Sequence, residues 1–188
     1  MLGASLKPGT RIETNGHWAI GGGTSRNYDG PIKATEMYNP STNQWTVMAS
    51  QQVQRMYHST ACLLPDGRVF SAGSDSGTQR NTGEVFSPPY LFKGTRPAIT
   101  DAPARVGHGE SFSVSTDVAI AKLRLYRPSA VTHQVDTDMR SVPLTFSSSG
   151  TTHSVRGVSA IEAPPGFYML FAVDPDGVPA IAKWVRVG

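Results

Sequence analysis

Cysteine is almost absent: Cys62 is the only one in 188 residues. No disulfide can form within the chain, so cysteine usage leaves the redox compartment open. Long apolar runs are missing too. No stretch approaches the roughly 18 consecutive apolar residues of a membrane-spanning helix, and the opening MLGASLKPGT lacks the apolar centre of a secretory signal. Charge is sparse at 16% of residues, with a formal net charge of +3. The basic residues are dispersed, whereas a nucleic-acid binder carries a clustered basic footprint. Neither nucleic acid nor a membrane is therefore an expected partner. Strong helical periodicity is the last absence, and it excludes a helix bundle.

What the chain has is glycine and proline, 19 and 14 respectively, set among frequent Val and Thr. That mixture favours many short strands joined by turns, an all-β chain. Two runs, HWAIGGG (17–23) and GRVFSAG (67–73), are strand-like and end in glycine, with Gly23 and Gly73 50 residues apart. Each is followed by a further strand and a turn, at Asn39-Pro40-Ser41 and at Ser87-Pro88-Pro89. The period and the Tyr38…Trp45 pair resemble a kelch repeat, one blade of a β-propeller. The plain alternative is any antiparallel meander. About one and a half blades are present, and such arrays need at least about three repeats. Met1 is therefore expected not to be the natural domain boundary. Unclosed blades would leave strand edges open to missing blades or to self-association.

Composition shifts at Lys93-Gly94-Thr95-Arg96-Pro97, which reads as a linker. Beyond it, strands are expected at 111–116, 122–127, 141–146, 167–173 and 181–187, separated by Pro/Gly turns. Their number suggests an immunoglobulin-like β-sandwich. The expected division is a partial kelch propeller over 1–92, a linker at 93–97 and a sandwich domain over 98–188.

Two histidine segments stand out: RMYHS (55–59) and VTHQVDTDMR (131–140). Together with LPDGR (64–68) and PPGFYMLFAVDPDG (164–177), they resemble the C-terminal part of the galactose oxidase and glyoxal oxidase family, the copper radical oxidases, from about Ile20 onward. The resemblance implies a seven-bladed kelch propeller followed by a β-sandwich, with copper near the propeller axis and a sandwich loop supplying one histidine. Matched residue by residue, Tyr57 corresponds to an axial tyrosine ligand, His58 to the adjacent histidine ligand, and His133 to the histidine of the sandwich loop. The implied reaction oxidises a primary alcohol, carbohydrate or aldehyde with O2 and yields H2O2. It also implies a secreted, extracellular location. The family's radical cofactor, a tyrosine cross-linked to a cysteine, has no match here; Cys62 stands in the wrong place. The chain alone is therefore expected to be inactive. The alternative is a non-catalytic β-sandwich interaction or carbohydrate-binding module with a residual metal site.

Imidazole and phenolate donors suit Cu2+. A phenol must lose its proton to bind, which costs roughly 4 kcal/mol at pH 7, so copper affinity is expected to rise with pH. In the family the axial phenolate is thought to take the substrate's hydroxyl proton, which would make Tyr57 ligand and catalytic base together. One geometric condition applies. Consecutive residues of a regular strand point to opposite faces, so Tyr57 and His58 can share a metal only if the backbone bends between them. His17, His108 and His153 are expected at the surface or in turns. Asp136, Asp138 and Arg140 are expected to stiffen the loop of His133. Arg55 is open between a substrate contact and a structural ion pair. Trp45, Phe70, Tyr90, Tyr168 and Trp184 are expected in the core, and Asp66-Gly67 at a hairpin turn.

Overall fold

The computed structural model describes residues 10–12, 16–24, 29–39, 42–75, 79–132 and 135–188. The chain divides into two compact units. One comprises Met1–Leu64, Arg68–Phe86 and Ser129–Met139; the other comprises Pro65–Gly67, Ser87–Pro128 and Arg140–Gly188. Both are built from strands. Among the described residues the sole helical element is a 3-10 turn at Pro89–Phe92.

The first unit holds two antiparallel meanders. Strands β1 (Thr10–Ile12), β2 (Gly16–Ala19), β3 (Ala34–Asn39) and β4 (Gln44–Ser50) form one sheet in that order. Strands β5 (Ser59–Leu63), β6 (Val69–Gly73) and β7 (Gly83–Phe86) form the second. Alternation sets the inward face: Ala61 and Leu63 of β5 are buried with Val69 and Ser71 of β6, as a two-residue side-chain period requires. The hairpin joining β5 to β6 turns at Asp66-Gly67, where Gly67 has φ +81°, a left-handed conformation that favours glycine. Its register runs from Leu63↔Val69 to Ser59↔Gly73. The expected turn at Pro40-Ser41 lies outside the described residues, but β3 and β4 pair across it with Tyr38 opposite Trp45, their rings 5.1 Å apart.

The second unit is a sandwich. Its strands in chain order are β8 (Ile99–Asp101), β9 (Arg105–Val106), β10 (Phe112–Thr116) and β11 (Lys122–Arg127). A short hairpin of the first unit follows, β12 (Val131–Thr132) with β13 (Val135–Asp136). The sandwich resumes with β14 (Arg140–Leu144), β15 (Phe146–Ser149), β16 (Thr152–Val155), β17 (Gly166–Val173) and β18 (Lys183–Val187). One sheet has the order β15-β16-β10-β8 and the other β14-β11-β17-β18-β9. The last pair, β18 with β9, is parallel. Val114 and Val155 of the first sheet and Leu125, Leu170 and Val185 of the second share one apolar core. Tyr168 is enclosed within it, and its hydroxyl donates to Pro164 O at 2.7 Å.

Several expectations are corrected here. The single strand expected at 141–146 is two strands: the chain leaves one sheet after Leu144 and enters the other at Phe146. Trp45 and Trp184 are not core residues, being 53% and 49% exposed. Trp184 alternates with the buried Val185 on β18 and so points away from the core. Tyr90 is buried as expected, with its hydroxyl donating to Gly67 O at 2.6 Å. That burial pushes its phenol pKa well up.

His153 is the clearest reversal. It is fully enclosed in the sandwich, with Thr116 Oγ1 on Nε2 and Ser148 Oγ on Nδ1, each at 2.9 Å. Thr116 Oγ1 already donates to Val118 O at 2.7 Å. It therefore accepts the Nε2–H, and Ser148 donates to Nδ1. A neutral ring satisfies both contacts, and burial lowers its pKa from the ordinary histidine value. The unfolded chain then takes up a proton at a higher pH than the folded one. Stability due to this ring is intact above the unfolded value and falls as pH drops below it. The thermal midpoint of the chain is expected to fall between about pH 7 and pH 5, and less so in His153→Gln. Equal slopes in a pH series of melting curves would contradict this.

Candidate metal centre

The segment before β5 is not a strand but a tight turn. Met56 O accepts both the backbone N–H of Ser59, at 3.2 Å, and its hydroxyl, at 2.6 Å. Met56 N donates to the buried Ser74 Oγ at 3.0 Å, and Asp75 N donates to Tyr57 O at 2.8 Å. These bonds hold His58 at φ +58°. A left-handed conformation in a non-glycine residue costs of the order of 1–3 kcal/mol and persists only where its surroundings fix it. The consequence is the geometry that a strand forbids: the Tyr57 and His58 rings stack with centroids 3.8 Å apart and planes at 29°. The phenol and the imidazole thus lie on one side of the backbone. Tyr57 is half-buried and His58 is exposed.

Glycine permits this closeness. Gly73 has φ +78°, and a Cβ there would lie 2.7 Å from His58 O. Gly21 stands in the same relation to Arg55, with φ +75° and a Cβ position 2.5 Å from Arg55 O. Arg55 itself is 0% exposed and so belongs to the scaffold. Its guanidinium donates to Gly73 O at 2.8 Å, Thr82 Oγ1 at 3.3 Å and Glu84 Oε2 at 3.2 Å. Glu84 in turn accepts the backbone N–H groups of Gln52, at 2.5 Å, and Val53, at 3.2 Å. This partly buried ion pair ties the segment leading to Tyr57 to β6 and β7.

His133 lies outside the described residues. The paired strands flanking it are closed at their base by Asp136, whose Oδ1 accepts N–H from Ala130, Asp138 and Met139 at 3.3, 3.1 and 2.9 Å. Asp136 therefore stiffens the hairpin as expected. Arg140 does not: it donates to Ile161 O at 2.9 Å within the sandwich. Among the described residues no three His, Cys, Asp or Glu side chains gather into a metal cluster. Sequence reading missed Asp75, whose Oδ2 lies 3.5 Å from His58 Nδ1. The signal was available. Continuing the β5–β6 register two residues past Ser59↔Gly73 puts Asp75 opposite Tyr57.

The strand order defines an all-β chain that ends in an immunoglobulin-like domain. Residues 96–187 match the galactose oxidase-like, early set domain model. A galactose oxidase of Gibberella zeae is 36% identical over 84% of this chain and 25% of its own length. An aldehyde oxidase of Arabidopsis thaliana is 33% identical over 95% of this chain and 35% of its own. A solved fungal alcohol oxidase in complex with copper superposes with a TM-score of 0.82 at 31% identity, over 92% of this chain and 40% of that one. The chain belongs to the galactose oxidase and glyoxal oxidase family. It spans 25–35% of the length of these curated relatives.

Proposed function

We propose that Tyr57, His58 and His133 hold a copper ion in an oxidase of primary alcohols, carbohydrates or aldehydes that uses O2 and releases H2O2. The observation that carries this reading is the left-handed turn at His58, which sets a phenol and an imidazole side by side. Such a mixed N,O donor pair suits Cu2+, and with His58 exposed it is open to an ion. Bound copper would supply one-electron redox chemistry. Tyr57 would bind as the phenolate and take the substrate's hydroxyl proton. His58 would bind through one ring nitrogen. His133 would enter from a hairpin that shares a compact unit with the other two residues and is tied at its base by Asp136.

The two meanders support a partial kelch propeller over 1–92, about one and a half blades, followed by a linker at 93–97 and the sandwich over 98–188. An extracellular location belongs to the same proposal. The family's radical cofactor needs a cysteine joined to a tyrosine. Cys62 sits half-buried on β5, and burial raises its thiol pKa, which disfavours the reactive thiolate. The chain by itself is therefore expected to show no oxidase turnover. Copper loading followed by a peroxide-release assay tests this; sustained peroxide production by the chain alone would overturn it.

A further inference from the structure

We propose that the cleft between the two meanders of the first unit binds a small neutral polyol through the side-chain amide of Gln51. The cleft has a volume of about 230 Å³. Its walls include Gln51, just past the end of β4, with Val69 and Ser71 of β6 and Glu84, Val85 and Phe86 of β7. Gln51 is 7% exposed. Its backbone N–H donates to Lys33 O at 2.8 Å, and its Oε1 accepts the Ser71 hydroxyl at 2.8 Å. The Nε2 of the same amide is buried and has no hydrogen-bond partner among the described residues. A buried donor left unpaired opposes folding, and such a group in the wall of a cleft calls for a bound water or ligand.

The chemistry of the walls selects the occupant. Ser71 gives its hydroxyl proton to Gln51 Oε1 and keeps lone pairs of its own. A ligand hydroxyl can accept from Gln51 Nε2 and donate to Ser71 Oγ, whereas a carbonyl or ether oxygen can only accept. Were the amide turned over, its oxygen would meet the same hydroxyl as an acceptor. Glu84 is the one charged residue of the wall among the described residues, and the Arg55 guanidinium meets its charge at 3.2 Å. The wall thus offers no unmatched charge to an ionic ligand. Val69, Val85 and Phe86 supply apolar surface for the C–H groups of a polyol. The volume lies below the ~300 Å³ at which pockets for drug-sized ligands begin, which limits the occupant to about the size of glycerol or a single sugar ring. Neither Tyr57 nor His58 lines the cleft, so the proposal does not depend on the copper reading.

The test uses the full chain, 15N-labelled. Gln51→Met removes the amide at nearly constant volume and identifies its side-chain NH2 signals. Glycerol and galactose are titrated separately, and at least one is expected to shift those signals saturably, with a Kd of roughly millimolar order. Sodium acetate and ammonium chloride at equal concentration are expected to leave them in place. Affinity, followed through the backbone amide of Ser71, should fall about tenfold in Gln51→Met, the share of one hydrogen bond. Should Gln51→Met not fold, Ser71→Ala removes the other polar partner and carries the same expectation. Val85 lines the cleft and is 47% exposed, so Val85→Trp should abolish binding while keeping the Gln51 signals. Polyol shifts that stay linear, or that Val85→Trp leaves untouched, would overturn the proposal, and equal shifts with acetate or ammonium would reject a neutral ligand. A water contact to Gln51 Nε2 without any saturable polyol shift would assign the cleft to hydration only and overturn it as well.

Discussion

Replacing Glu84 by alanine is expected to cost about 3 kcal/mol of stability, the lower end of the range for breaking a buried ion pair from one side. The lower end applies because Glu84 is 24% exposed, whereas Arg55 is not exposed at all. The substitution leaves a buried guanidinium with Gly73 O and Thr82 Oγ1 as its partners among the described residues. It also removes the acceptor of the Gln52 and Val53 N–H groups. Urea unfolding should show a lower midpoint at an unchanged slope, the mark of a stability change alone. Glu84→Gln, which keeps an acceptor but not the charge, should fall between the two. A loss below about 1 kcal/mol, the scale of a surface pair, would mean that the Gly73 carbonyl suffices for Arg55. The effect bears on the site because Arg55 stands two residues before Tyr57, and its anchor, Gly73, faces Ser59 across the hairpin.

Removing the imidazole of His58 is expected to cut Cu2+ affinity by more than the roughly 10–100-fold lost when only a ligand's supporting partner is removed. His133→Ala should lose a comparable amount, and Tyr57→Phe should reduce the rise of affinity with pH, because no phenol proton is then released on binding. Competitive copper titrations of the three variants measure this. Unchanged affinity in both histidine variants would reject the ligand set. Loss in His58→Ala alone would keep the turn as a binding site and reject the hairpin's contribution. Because His58 is exposed, its removal should leave the melting curve almost in place, which separates ligation from folding.

Much of the architecture was legible in the residues. The alternation in KLRLYR and GFYMLFAV marks β11 and β17 because a strand with one buried face must repeat every second residue. Asp66-Gly67 announces the β5–β6 turn because glycine accepts the left-handed conformation there. Other features were not legible. Thr145 separates two strands that belong to different sheets, yet the local pattern runs on without a break. His153 looked like a turn residue, because only the packing of the sandwich decides that Thr116 and Ser148 meet its two nitrogens. Trp45 and Trp184 looked like core residues, because size alone does not say which face of a strand a ring occupies.

The same division holds at the site. The sequence by itself determined the all-β class and offered Tyr57, His58 and His133 as the candidate ligands, since composition, strand period and motif are properties of neighbours along the chain. Whether Tyr57 and His58 share one side was not among them. A dipeptide in a strand splits its side chains, and nothing in RMYHS states the backbone angle. That angle was decided by residues far along the chain: Ser74 on Met56 N, Asp75 on Tyr57 O, and Gly73 leaving room beside His58 O. Hydrogen bonds that cross between strands fix a strained residue, and their partners are known only once the hairpin register and the tertiary fold bring them together.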